Sequence, residues 1–254
     1  MEQVTSRHNP LCAHFRKLAA SRAYREECGE FLCDSPKLLQ EALLWGTGVR
    51  TVLFTQGVHL PPLDSSVRLV QVSRSVMEAV SPMQAPQGVV FSCRMADNAP
   101  PPTLEAGRYL VLDSVQDPGN VGAILRTADA FGCKAVFLLP GCADLYNPKT
   151  LRAAMGAHFR ALHWHCTLEK TASLLSRAGI PLYAAALRED TVDLLCTDLS
   201  NAAVAIGSEG RGISPQALAL CEKTIKIPMS PQCESLNAAV AAAVVLWEGY
   251  RKTL

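Results

Sequence analysis

The chain has 254 residues, 49% of them hydrophobic and 19% charged, with a formal net charge of +1. That is ample apolar material for a packed core, which excludes global disorder, and the length suits one large domain or two small ones. The longest apolar run, Ala238 to Trp247, is ten residues, half of the roughly 20 that a spanning helix needs. The first residues (MEQVTSRHNPLCAHFRK) hold no apolar stretch of the kind a secretory leader carries, so the expected location is cytoplasmic.

In chain order, residues 7–25 read as helical and Glu30–Cys33 as a short strand. Ser35 and Pro36 start a helix that runs through Leu44, because Ser caps well and Pro suits the first helical turn. Strands follow at Thr51–Thr55, Val67–Val72 and Gly88–Cys93, with a short helix at Ser75–Ala79. The proline-rich stretch 98–105 reads as a stiff linker between an N-terminal domain (1–97) and a C-terminal one (106–254). Beyond it, strands at Tyr109–Leu112, Ala135–Leu139, Ala161–Trp164, Leu182–Ala186, Ala202–Ile206 and Thr224–Ile227 alternate with helices. Those helices are expected at Val121–Phe131, Lys149–Met155, Thr167–Ala178 and Leu236–Tyr250. Near-continuous apolar strands between helices predict a parallel sheet covered on both faces. The fold class is therefore α/β in both domains.

Ten cysteines (Cys12, Cys28, Cys33, Cys93, Cys133, Cys142, Cys166, Cys196, Cys221, Cys233) are scattered without a CxxC pair. They read as reduced, mostly buried small hydrophobes. His163, His165 and Cys166 are one or two positions apart and lack a second ligand pair, so no metal is expected. Between Gln3 and Arg25 stand Arg7, Arg16, Lys17, Arg22 and Arg25 with no acid. Such a segment is either a solvated helix face or a patch that contacts RNA phosphates.

Three loops after strands carry unusual chemistry, at the strand ends where ligands of parallel sheets bind. The first, from Asp117 to Thr127, holds Asn120, Gly122 and Arg126. Asn120 fits a helix N-cap. Six residues on, at about 100° per residue, Arg126 points elsewhere, toward a salt bridge or a ligand phosphate. The second, Gly207-Ser208-Glu209-Gly210-Arg211-Gly212-Ile213, has three glycines in six residues. It is neither GxGxxG nor a Walker loop, and its acid suits an amine, a hydroxyl or an Arg better than a phosphate. A plain glycine turn is the other reading. The third runs from Ile227-Pro228-Met229 to Ser235-Leu236-Asn237 and opens an Ala/Val-rich helix expected to be buried nearly all round. Capping that helix needs Ser235 or Asn237 but not both, which leaves one to bind something.

Together these segments resemble the SpoU/TrmH family of RNA ribose 2′-O-methyltransferases, within the SPOUT superfamily. The family's Asn-x-Gly-x-x-x-Arg appears as Asn120, Gly122 and Arg126, and its Gly-x-Glu-x-x-Gly-Ile/Leu as Gly207, Glu209, Gly212 and Ile213. Its Ile-Pro-Met and Ser-Leu-Asn appear at 227–229 and 235–237, and residues 147–159 resemble its middle region. Phe31-Leu32-Cys33-Asp34-Ser35-Pro36 is similar to a stretch of the ribosomal-protein-like substrate-binding domain often fused ahead of it.

The resemblance implies a C-terminal α/β-knot with a trefoil knot, a homodimer, and S-adenosylmethionine bound at Gly207, Ile227, Met229, Leu236 and Asn237. It implies catalytic roles for Asn120, Arg126, Glu209, Ser235 and Asn237. Ribosomal RNA is the expected substrate, ahead of transfer RNA. A non-catalytic RNA-binding protein that kept the fold is the alternative, and it should have lost one of Asn120, Arg126, Glu209 or Asn237. All four stand.

Overall fold

The computed structural model describes residues 2–188 and 191–254. It divides into two compact units, Met1–Asp97 with Asp144–Phe159, and Asn98–Ala143 with Arg160–Leu254. In sequence the segment 144–159 lies within the second expected domain. In the structure it packs with the first.

The first unit begins with β1 (Glu2–Val4), α1 (Pro10–Ala20), α2 (Arg22–Cys28), β2 (Glu30–Asp34) and α3 (Pro36–Leu44). It continues through β3 (Val49–Phe54), β4 (Arg68–Val72), α4 (Arg74–Val80) and β5 (Val89–Arg94). The sheet order is β1-β4-β3-β5-β2, with β1, β4 and β3 parallel and β5 antiparallel to both its neighbours. On α1, Cys12, Phe15 and Leu18 share a buried face packed on Leu32, Leu53, Val70 and Val90 of the sheet. A fully buried Phe or Leu contributes about 1.5–3 kcal/mol. The single helix expected over residues 7–25 is two helices, because Ser21 both ends α1 and caps α2, its hydroxyl accepting the Tyr24 N–H at 3.2 Å.

Arg25 requires a second correction. It is 3% exposed and donates to the Leu18 carbonyl and to Asp144, both at 2.5 Å. A guanidinium spent on an internal carboxylate is not available to RNA. The segment around Asp144 is fixed further by Tyr146 and His158, whose rings meet Phe31 at 4.7 and 5.5 Å, and by Arg152 at 3.4 Å from Asp34. Burial raises the Asp34 pKa, and Arg152 opposes the rise.

The second unit starts with β6 (Tyr109–Asp113), α5 (Pro118–Ala130) and β7 (Ala135–Leu138). The chain then passes through α6 (Pro148–Ala154) in the first unit and returns as β8 (His163–His165), α7 (Leu168–Arg177) and β9 (Leu182–Ala185). It ends with β10 (Val192–Asp193), β11 (Ala203–Gly207), α8 (Pro215–Leu220), β12 (Lys223–Lys226) and α9 (Ala238–Arg251). All seven strands are parallel, in the order β10-β12-β9-β11-β6-β7-β8, as the apolar runs predicted. β6 and β7 are buried at every residue. The proline-rich stretch lies along this unit: the Asn98 carbonyl accepts the His165 N–H at 2.9 Å, and Arg177 donates to the Pro102 carbonyl at 3.3 Å.

Helix α9 departs from the expected all-round burial. Ala238, Ala242, Val245 and Leu246 are buried, but Val240 and Trp247 remain 48% and 45% exposed. Ala238 and Ala242 pack inward, while on the other face Trp247 meets the rings of Phe131 and Tyr250 at 5.6 and 6.3 Å and is still half-exposed.

Candidate active site

The loop from β6 into α5 sets the first side of the site. Asp117, not Asn120, caps the helix: its carboxylate accepts the Asn120 N–H at 2.9 Å, and Pro118 occupies the first turn. Asn120 therefore sits one turn in, with its side chain spared from capping. Its Oδ1 accepts from Asn237 Nδ2 at 3.1 Å, and its Nδ2 donates to Glu209 Oε1. The carboxylate of the glycine loop thus meets an amide donor.

That loop is tightly folded. Gly207 ends β11 opposite Asp113 of β6, and Ser208 and Gly212 exchange backbone hydrogen bonds of 3.1 and 2.9 Å. A Cβ on Gly207 would lie 2.1 Å from the Gly212 carbonyl carbon, so only glycine permits the approach. Gly212 itself turns the chain at φ +66°. The loop closes where the Ser214 N–H donates to the buried Asp113 carboxylate at 2.7 Å. Sequence reasoning passed over Asp113; its signal was an acid at the end of an otherwise apolar strand.

The third segment completes a cavity of about 420 Å³. Gly207, Glu209, Ile227, Met229, Ser235 and Leu236, all singled out in the sequence, line it. Asn237 lies outside the lining and caps α9, its Oδ1 accepting the N–H groups of Ala239 and Val240 at 2.9 and 3.3 Å. Its Nδ2 still reaches Asn120, so one residue performs both tasks between which the sequence left a choice. Ser235 is not the cap and stays exposed at the cavity.

Residues 107–247 match the model of the SpoU rRNA methylase family, and residues 9–90 that of the MRM3-like substrate binding domain. This chain belongs to the SpoU rRNA methylase family. It is 32% identical to the 23S rRNA (guanosine(2553)-2′-O)-methyltransferase RlmP of Bacillus subtilis, over 97% of this chain and 98% of that protein. It is 30% identical to human mitochondrial rRNA methyltransferase 3, over 92% of this chain and 70% of that one. Among solved structures, the SpoU methyltransferase AviRb of Streptomyces viridochromogenes in complex with AdoMet superposes with a TM-score of 0.85 at 27% identity, covering 97% of this chain and 98% of that one.

Against that family background, the cavity fits S-adenosylmethionine: its volume lies in the range of about 300–1,000 Å³ usual for small-molecule sites. Apolar Ile206, Leu218 and Leu236 face it together with backbone that Gly207 leaves uncovered. Arg126 is exposed on α5 and pairs with no described residue. Of the N-terminal basic residues, Arg16 and Lys17 are exposed, Arg22 is paired with Glu26 at 2.8 Å, and Arg7 donates to the Ser75 carbonyl at 2.9 Å.

Among the described residues no three His, Cys, Asp or Glu side chains converge on a metal-sized space. His163 is buried, its Nδ1 2.8 Å from the Ala161 carbonyl, and burial lowers its pKa. All ten cysteines are free thiols. Burial pushes Cys133 up to about 12 and Cys142 and Cys221 up to about 11, which keeps these sulfurs protonated and unreactive.

Proposed function

We propose that this protein transfers a methyl group from S-adenosylmethionine to the 2′-hydroxyl of a ribose in ribosomal RNA. The observation that carries the reading is the hydrogen-bonded chain Asn237–Asn120–Glu209 beside the glycine-loop cavity, with Arg126 left unpaired on the same helix as Asn120. Relatives named as 23S rRNA and rRNA methyltransferases favour ribosomal over transfer RNA. The non-catalytic alternative is disfavoured because Asn120, Glu209 and Asn237 are not only present but joined.

S-adenosylmethionine supplies a methyl already activated on a sulfonium. The protein must hold donor and acceptor in line and ease the departure of one proton. Gly207, Ile227, Met229 and Leu236 hold the cofactor, while the Asn237–Asn120–Glu209 chain fixes the loops on either side. Arg126 grips the phosphate next to the target ribose and stabilises the developing alkoxide. It is not the base, because a guanidinium keeps its proton to a pKa above about 12; water or that phosphate takes the proton. Arg126→Ala should lose at least about 10²-fold in turnover, roughly 2.7 kcal/mol of barrier, with S-adenosylmethionine affinity intact. An Arg126→Lys enzyme with normal turnover and only weaker RNA binding would count against guanidinium-specific chemistry.

The exposed Val240 and Trp247, with the partly buried Val244 between them and Phe131 at 5.6 Å from Trp247, support a homodimer formed through α9. A purified protein that sediments as a monomer at micromolar concentration refutes it. The close folding of 227–237 over the glycine loop is consistent with the trefoil knot of the SPOUT fold. Exposed Arg16 and Lys17 remain the part of the N-terminal basic segment suited to RNA. Free thiols, two of them exposed, suit a reducing compartment, and we assign the enzyme to the cytoplasm.

A further inference from the structure

The first unit holds an open groove of about 920 Å³, remote in sequence from the methyl-transfer motifs. It forms where the carboxyl ends of the parallel strands β1, β4 and β3 meet the loop before β5, the place where open sheets of this kind receive ligands. Its chemistry is unusual. Five glutamines line it: Gln3, Gln56, Gln71, Gln84 and Gln87. Gln3 and Gln71 are partners across β1 and β4, with Gln3 Nε2 donating to Gln71 Oε1 at 3.3 Å. Val58, Met77 and Pro86 add apolar surface to the lining. At one rim the exposed Arg74 stands 3.1 Å from Glu78, and Arg7, outside the lining, lies 4.0 Å from the same carboxylate, so the three side chains together carry one net positive charge.

Amide edges, apolar side chains and an exposed guanidinium at the rim together match a single unpaired nucleotide. Glutamine pairs bidentately with the N6/N7 edge of adenine, and proteins read RNA sequence where bases are splayed out of a helix. A groove for duplex backbone would instead show several unpaired cations. Gly88, at φ +80°, fixes the loop against the sheet: a Cβ there would lie 2.7 Å from Thr55 Oγ1. The loop before β5 thus lies close against the end of β3. We propose that this groove takes an extruded base of the ribosomal RNA substrate, adenine by preference, with its phosphate at the Arg74 rim. The inference rests on the reading that the chain modifies ribosomal RNA, and it adds where that RNA is recognised.

The test uses the full chain and protein-free 23S rRNA, with dissociation constants measured over a range of salt. Gln56→Ala/Gln87→Ala, at two exposed positions, should weaken RNA binding about 10- to 100-fold with an unchanged salt slope, and should leave S-adenosylmethionine affinity unaltered. Arg74→Ala should instead lower the slope by about one. Gln84→Ala alone, also exposed, should weaken binding several-fold and serves if the double variant loses its fold. Wild-type RNA affinity in the folded double variant, or in Gln84→Ala, overturns the proposal. Methyl transfer is scored separately: a wild type that binds RNA through the glutamines but transfers no methyl refutes the activity and leaves the groove standing.

Discussion

Replacing Gly207 with Ala adds one methyl group at the tightest point of the site. The new Cβ would meet the Gly212 carbonyl carbon at 2.1 Å, its oxygen at 2.2 Å and the Ile213 nitrogen at 2.4 Å. All three are backbone atoms, so no side-chain rotation relieves the clash. Bringing the nearest atom out to the 3.4 Å of ordinary contact requires the loop to retreat by about 1.3 Å. That loop carries Glu209, the partner of Asn120, and forms one wall of the cavity. A displacement of about 1 Å in a positioning element costs on the order of 10²-fold in rate, roughly 2.7 kcal/mol. Overpacking a well-filled site costs about 1–3 kcal/mol of stability, roughly 2–12 °C in Tm at this chain length. Gly207→Ala should therefore bind S-adenosylmethionine at least about 10-fold more weakly by calorimetry. It should transfer labelled methyl to ribosomal RNA about 10²-fold more slowly, while still melting cooperatively no more than about 12 °C below the wild type. A variant with native affinity and native turnover would show that the loop's close approach has no part in function.

Asp113 should behave as the anchor of the same loop: Asp113→Ala, which strands the Ser214 N–H, should weaken cofactor binding about 10-fold, and Asp113→Asn should restore most of it by offering an acceptor. Equal losses in both variants would refute the anchoring role. Arg25→Ala should cost about 3–5 kcal/mol, because it leaves Asp144 without its partner, yet should not change the salt slope of RNA binding. A lowered slope with native stability would return Arg25 to the RNA-contacting set. Burial holds the His163 imidazole below its usual pKa, so as pH falls through about 6.5 the unfolded chain takes up a proton before the folded one. Stability contributed by this site is therefore complete above that pH and declines below it. His163→Phe should lose less Tm than the wild type between pH 7 and 5.5, and equal losses would contradict the assignment.

How far the sequence could be read depended on whether a feature was local. Ser35-Pro36 announced α3, and apolar runs announced the central strands, because caps and burial write themselves into adjacent residues. The three loops were legible for the same reason, and the structure brings Asn120, Glu209 and Asn237 into one hydrogen-bonded chain. Asn120 was misread as a cap because Asp117-Pro118, the same signal as Ser35-Pro36, stands three residues earlier. Ser214-Pro215 likewise starts α8, a signal hidden by the attention its glycine loop draws. The short strands β1 and β10 have too few residues for any period. Other features depend on partners far away in the chain. Nothing near Arg25 announces Asp144, 119 residues on, or the return of 144–159 to the first unit. The exposed face of α9 was hidden for a different reason: a helix made of alanine and valine reads the same whether this chain or a second copy covers it.

The most direct measurement is methyl transfer from labelled S-adenosylmethionine to ribosomal RNA from cells lacking this protein, followed by alkaline hydrolysis and mapping of the resistant linkage. A 2′-O-methyl removes the hydroxyl that cleaves its own phosphodiester, so one protected position on ribosomal RNA is the result the account predicts. Measurable cofactor binding without transfer to ribosomal RNA or intact subunits would contradict it.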